Sequence, residues 1–141
     1  APNKGEPPRS LREIASSGEI SRVMLAIKAV LAKHDRIPIL VFDEIDANLG
    51  GEMGNSVGEK LKAVSMHHQV ICITHLPQVA VYGNTHFVVE KTTKGNRTCS
   101  EITEVRNNQR VEEIARMLGG KDLTSVTLRH AREMLNRVST Q

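Results

Sequence analysis

Tryptophan is absent, and the other aromatics are Phe42, Tyr82 and Phe87, which make up 2% of the 141 residues. A platform that stacks unpaired bases needs more rings than this, so such a platform is excluded within the chain. Cysteine is nearly as scarce. Cys72 and Cys99 match no metal-ligand spacing, and Cys72 sits inside the apolar run Val70-Ile71-Cys72-Ile73, so both read as inert thiols. No apolar run approaches the roughly 18 residues that a membrane span needs. The start Ala1-Pro2-Asn3-Lys4 lacks the charged-then-apolar order of a signal peptide. The expectation is a soluble, cytoplasmic protein with no membrane partner. An initiator methionine is also missing, and the opening Pro2 to Pro8 carries proline and glycine, so the chain reads as part of something longer.

Hydrophobic residues at 39% and charged residues at 25% are the composition of an ordinary folded domain. The length suits one core. A net charge of +3 permits contact with nucleic acid without requiring it, because acids and bases alternate with no basic block.

The spacing Ser16-Ser17-Gly18-Glu19 is that of a capping box and predicts a helix start. Ile20, Val23, Met24, Ile27, Val30 and Leu31 then form one helical stripe that ends near Lys33 and His34. The run Ile37-Pro38-Ile39-Leu40-Val41-Phe42 is short, apolar and rich in β-branched residues, as in a strand covered on both faces. Met53, Val57, Leu61 and Val64 mark a second helix, and Gln69 to Thr74 a second strand. A βαβ unit of this kind is right-handed and brings the C-terminal ends of its strands side by side. Ligands of open α/β sheets bind at that edge. Asp43-Glu44 follows the first strand and Thr74-His75 ends the second, so both polar clusters fall there. Beyond them the pattern gives a short helix from Leu76 to Tyr82, stopped at Gly83-Asn84. A hairpin follows, with His86 to Lys91 and Thr98 to Val105 flanking Lys94-Gly95-Asn96. Two last helices, separated by Gly119-Gly120, carry Val111, Ile114, Ala115 and Leu118, then Leu123, Val126, Ala131, Met134, Leu135 and Val138.

Two adjacent carboxylates beyond a buried strand need a partner or a metal, because charge is costly near an apolar core. In a nucleotide site, the first holds magnesium and the second polarises the attacking water. Taken alone, the pair also suits a solvated strand end. The start of the first helix offers free N–H groups and a dipole to an anion, yet by itself it also fits a plain N-cap worth about 1 kcal/mol. A lone His75 is equally at home as a surface histidine, and Met66-His67-His68, at a predicted helix end, are assigned no role.

The combination is far more specific. Ala15-Ser16-Ser17-Gly18-Glu19-Ile20-Ser21-Arg22, then Ile39-Leu40-Val41-Phe42-Asp43-Glu44-Ile45-Asp46-Ala47, then Ile73-Thr74-His75-Leu76-Pro77-Gln78 resembles the signature, Walker B with D-loop, and His-loop of the ABC ATPases, in that order. Transporters usually follow the Walker B glutamate with proline. Ile45 here is similar to the SMC-related branch. Gly5-Glu6-Pro7-Pro8, Asn48-Leu49-Gly50-Gly51, Thr74 to Ala80 and Ile114-Ala115-Arg116-Met117-Leu118-Gly119-Gly120 resemble the RecN family of bacterial DNA-repair ATPases. The likeness runs from about Gly5 to the helix around Leu135. One position departs from the pattern: Ser17 stands where glycine is usual, and a Cβ costs about 1–2 kcal/mol if the backbone there is left-handed. No phosphate-binding loop, G-x-x-x-x-G-K-[ST], is present. Gly119-Gly120-Lys121-Asp122 imitates only its tail.

The resemblance implies an α/β fold, a partial P-loop NTPase (ABC/SMC head) sheet with flanking helices, a C-terminal β-hairpin and two helices. Residues 1–15 would be a lead-in loop, 16–92 the signature, Walker B and His-loop core, and 93–141 the hairpin and C-terminal helices. It implies ATP and Mg2+ as cofactors. Asp43 would hold magnesium directly or through water, Glu44 act as general base and His75 contact the γ-phosphate. Asp46 in the D-loop would help align a partner head. Ser16, Gly18 and Glu19, with Ser17, would meet ATP bound mainly by the opposite head. The implied partners are the N-terminal half of the same head, which carries the phosphate loop, and a second head in an ATP-dependent homodimer. DNA would be bound by the full-length protein, in the bacterial cytoplasm and associated with the nucleoid, during double-strand-break repair and recombination. The fragment alone is expected to be inactive. Two alternatives stay open: a non-catalytic dimerisation or DNA-binding module, and a fragment of an ABC transporter ATPase.

Overall fold

A computed structural model describes residue 5 and residues 15–32, 34–94, 97–120 and 122–139. Most of the lead-in expected over residues 1–15, and Gly95-Asn96 at the hairpin turn, lie outside the described residues. The chain forms two units, residues 1–79 and residues 80–141.

In the first unit, helix α1 (Ser17–Leu31) begins where the S-x-x-E spacing predicts, with Ser16 as N-cap and Glu19 completing the capping box. Strand β1 (Ile39–Phe42), helix α2 (Gly51–Val64) and strand β2 (Gln69–Cys72) follow. The strands are parallel, with Ile39 opposite Gln69 and Phe42 opposite Cys72, as a helical crossover requires. Gln69 N donates to Pro38 O (2.8 Å) and Ile73 N to Phe42 O (2.9 Å), lengthening the ladder at both ends. Leu25, Leu40, Phe42, Ile45, Val57, Leu61, Val64 and Val79 form the core. Each fully buried aliphatic side chain there contributes roughly 1.5–3 kcal/mol.

The sheet is covered on one face, where the sequence predicts cover on both. Leu40 and Phe42 are buried, but Ile39 and Val41 alternate with them at 54% and 63% exposure, and Ile71 and Ile73 are exposed as well. Helix α1 behaves alike: it turns Leu25 inward and leaves Ile20, Val23, Met24 and Ile27 exposed. Apolar periodicity records which side chains a sequence is built to bury, not whether the covering layer lies in the same segment. His68, assigned no role from sequence, is buried past the end of α2. Its Nδ1–H donates to Ile37 O at 2.7 Å, which pins the approach to β1.

Helix α3 (Pro77–Ala80) is shorter than predicted. In the second unit, strands β3 (His86–Lys94) and β4 (Arg97–Val105) pair antiparallel, His86 opposite Val105 and Lys94 opposite Arg97, so the hairpin runs further than its alternation suggests. Helices α4 (Asn107–Gly119) and α5 (Ser125–Ser139) follow. Ala80, Val81, Ile114, Ala115 and Ala131 are the core, with Val111, Leu118, Met134 and Leu135 packed against it. Gly120, at φ 81°, ends α4, a left-handed conformation that glycine adopts without cost. Arg110 reaches from α4 to the carbonyls of Ala80, Val81 and Gly83, the last at 2.6 Å. Among the described residues no helix is long and apolar enough to cross a membrane.

Candidate functional site

Parallel pairing of β1 and β2 sets Asp43-Glu44 beside Thr74-His75, as the βαβ reading predicts. What joins the two strand ends is Asp46. Its side chain is 1% exposed, and Oδ2 accepts hydrogen bonds from Thr74 Oγ1, from His75 N at 2.9 Å and from Leu76 N at 3.1 Å. The His75 ring stays exposed, with Nδ1 at 3.3 Å from the same oxygen. Burial pushes the Asp46 carboxyl up, but the donors on Thr74, His75 and Leu76, aided by the His75 ring, outweigh it and leave it below the usual carboxylate range. Asp46 therefore stays ionised and holds the turn that presents His75.

The first turn of α1 is fastened along the loop after β1. Ser17 Oγ donates to Glu44 Oε2, Ser21 Oγ donates to Asp43 O at 3.0 Å, and Arg22 Nη1 spans Ile45 O at 3.1 Å and Ala47 O at 3.2 Å. Glu44 has φ 54° and Asn48 φ 61°. Left-handed backbone in residues other than glycine persists where its surroundings over-determine it, as these contacts do at Glu44. Ser16 N donates to Glu19 Oε2 at 2.8 Å and Ser16 Oγ to the same oxygen at 2.9 Å. The backbone and side-chain bonds from Ser16 hold the Glu19 carboxyl below its ordinary range.

Gly18 is buried in this contact. A Cβ added there would stand 2.8 Å from Glu44 O and 3.0 Å from the Ala47 Cβ, so helix and loop would have to part. Gly18→Ala is expected to destabilise this junction by about 1–3 kcal/mol, the usual cost of overpacking. Hydrogen exchange at the amides of residues 44–47 measures it, and unchanged protection would show that the close approach is not maintained in solution.

The sequence-predicted residues thus fall into two adjoining groups: Ser16, Ser17, Gly18 and Glu19 at the start of α1, and Asp43, Glu44, Asp46 and His75 at the strand ends. Sequence reasoning missed the part of three residues: Ser21 and Arg22, which link the two groups, and Thr74, which bonds Asp46 within the second. Ser21 and Arg22 lie inside the quoted signature stretch, three and four positions after Gly18, hence on its helical face. Thr74 ends the second strand in the sequence pattern, and its hydroxyl donates to Asp46. Cys72 is inert, its thiol pushed up to about 12 by burial, with Asp46 and Asp43 adding to the effect. Cys99 is exposed, and neither cysteine forms a disulfide.

No family model matches the chain. Curated relatives do. The chain is 46% identical over 139 residues to the DNA repair protein RecN of Treponema pallidum, covering 99% of this chain and 24% of that protein. It is 52% identical over 120 residues to RecN of Xylella fastidiosa, with 85% and 22% covered. With RecN of Bacillus subtilis the identity is 42% over 135 residues, with 96% and 23% covered. The chain belongs to the RecN family. It spans about a quarter of the length of the RecN proteins it matches. Among solved structures, one from work on ATP-driven dimerization and DNA-stimulated activation of SMC ATPases superimposes with a TM-score of 0.54 at 19% identity, covering 84% of this chain and 70% of that one. The fold is that of a partial α/β ATPase head of the SMC type.

Proposed function

We propose that this RecN-family chain is the C-terminal lobe of an SMC-like head whose ATP hydrolysis drives head engagement and DNA handling in double-strand-break repair and recombination, in the bacterial cytoplasm and at the nucleoid. The observation that carries this reading is that Asp43-Glu44 and Thr74-His75 follow two paired parallel strands, with His75 beside Asp46 and the start of α1 bonded alongside.

In this reading Glu44 accepts the proton of the attacking water, and His75, exposed and steadied through Asp46, contacts the γ-phosphate. Asp46 aligns the facing head through the turn it holds. Ser16, Ser17, Gly18 and Glu19 meet ATP held mainly by the second head. Asp43 would hold magnesium, directly or through water. Among the described residues no group of three or more His, Cys, Asp or Glu side chains is placed to hold a metal. Asp43 supplies one carboxylate at this edge, and Mg2+ binds through one or two carboxylates together with phosphate oxygens and water. A magnesium ion held there would supply charge neutralisation on the phosphates.

The rest of the head is assigned to the N-terminal half of the same protein. Two observations support this: the sequence contains no phosphate-binding loop, and Ile39, Val41, Ile71 and Ile73 are exposed on the open face of the β1–β2 sheet, suited to packing against a further apolar layer. The isolated chain is expected to hydrolyse ATP no faster than buffer, and co-expression with the N-terminal half to restore magnesium-dependent turnover. Phosphate release measures both. Steady turnover with micromolar affinity by the chain alone would place the whole nucleotide site inside it and overturn the division of labour.

A further inference from the structure

Ser17 stands where the resembled signature pattern usually has glycine, and its hydroxyl has a partner within its own chain, the carboxylate of Glu44. The two are held face to face from both sides. Gly18 lets α1 lie against Glu44 O, Ser21 and Arg22 fasten the helix to the carbonyls of Asp43, Ile45 and Ala47, and the left-handed backbone of Glu44 sets the direction of its side chain. A glycine at position 17 has no atom with which to make this contact. Both residues are exposed, so a ligand arriving at the start of α1 reaches the hydroxyl directly.

A serine hydroxyl carries one hydrogen and donates it to one acceptor at a time. From that exclusivity the geometry points to Ser17 as a restraining residue. In an unengaged head it occupies the Glu44 carboxylate, and it releases that carboxylate when its hydroxyl turns to a phosphate oxygen presented by a second head. The inference rests on the reading of Glu44 as general base and of the α1 start as the surface that meets the opposite head's nucleotide. Its consequence is new to that reading. Ser17 touches the nucleotide of one site and Glu44 serves the other, so filling the first site frees the base of the second. Turnover then rises with head engagement in a positively cooperative way, through a switch of one hydrogen bond that the usual glycine does not provide.

The test uses the full-length protein, with ATP turnover per head measured against both protein and ATP concentration. Ser17→Ala and Ser17→Gly remove the donor, and are expected to raise turnover in dilute protein at least about tenfold, the lower end of the rate equivalent of one hydrogen bond to a charged group. They should also lower the Hill coefficient for ATP towards one. Ser17→Thr keeps a hydroxyl and should restore the low dilute rate and the cooperativity. Unchanged or reduced dilute turnover in the alanine and glycine variants overturns the proposal, as does a parent protein whose turnover per head is independent of concentration. Glu44→Gln is measured in parallel. If it is inactive while Ser17→Ala behaves as the parent, the general base stands and only the restraint falls. If Glu44→Gln turns over like the parent, both fall.

Discussion

Glu44→Gln in a complete head is expected to bind ATP but hydrolyse it at least about a hundredfold more slowly, the lower end of what a positioned base contributes. The amide keeps the size and reach of the side chain and can still accept a hydrogen bond from Ser17, so the contact between α1 and the loop after β1 should survive. What it loses is the ability to take the proton of the attacking water. With Asp43 intact, the nucleotide-bound dimer should accumulate. Asp43→Asn should differ, because a weakened magnesium site impairs charge neutralisation on the phosphates and with it nucleotide binding. Single-turnover hydrolysis alongside size-exclusion chromatography in ATP and magnesium separates the two. Near-parental turnover in Glu44→Gln would refute the general-base role, and loss of ATP binding would point instead to a structural or metal-holding one.

Removing Asp46 should cost more in structure than any other change at this site. Asp46→Ala strips the acceptor from Thr74 Oγ1 and from the amides of His75 and Leu76, and buried donors left without partners cost about 1–3 kcal/mol each. Allowing for relaxation and water entry, a loss of roughly 3 kcal/mol is expected, seen as about a hundredfold faster exchange of the His75 and Leu76 amides. Because the folded carboxyl lies below its ordinary value, the folded state binds that proton less tightly than the unfolded chain. The stabilisation is therefore complete above the unfolded value of about 3.9 and is lost as pH falls through the lower folded value. Protection of the His75 turn should hold from neutral pH down to about pH 4, then fall in the parent and show no such step in Asp46→Ala. Equal exchange in the two proteins at neutral pH would mean that Asp46 does not hold this turn.

Much of the site is legible in the sequence because its chemistry is carried by short contiguous strings. The capping box is local, so Ser16 and Glu19 identify the start of α1 without tertiary context. The βαβ order fixes parallel pairing, which alone brings Asp43-Glu44 to Thr74-His75. The hairpin follows from alternation, although its strands extend to Lys94 and from Arg97, since pairing continues through polar residues that alternation does not mark. Less legible were side chains whose work depends on packing. His68, at a predicted helix end, is assigned no role from sequence, yet it is buried on the Ile37 carbonyl. Arg22 and Ser21 sit in view inside the signature stretch, but nothing local says that their partners are backbone carbonyls more than twenty positions away.

By itself, then, the sequence determined the order of elements, the placing of Asp43, Glu44 and His75 at one sheet edge, and the resemblance to RecN, because each depends on local propensity, periodicity or a linear motif. Only the tertiary structure decided that Asp46 is buried as the link between the strand ends and that Ser17 meets Glu44 within one chain. It also decided that the apolar stripe of α1 and one face of the β1–β2 sheet stay exposed. The physical reason is common to all three: they depend on what lies opposite a side chain once the backbone has closed. Linear spacing does not encode which acceptor, or which covering side chain, that is.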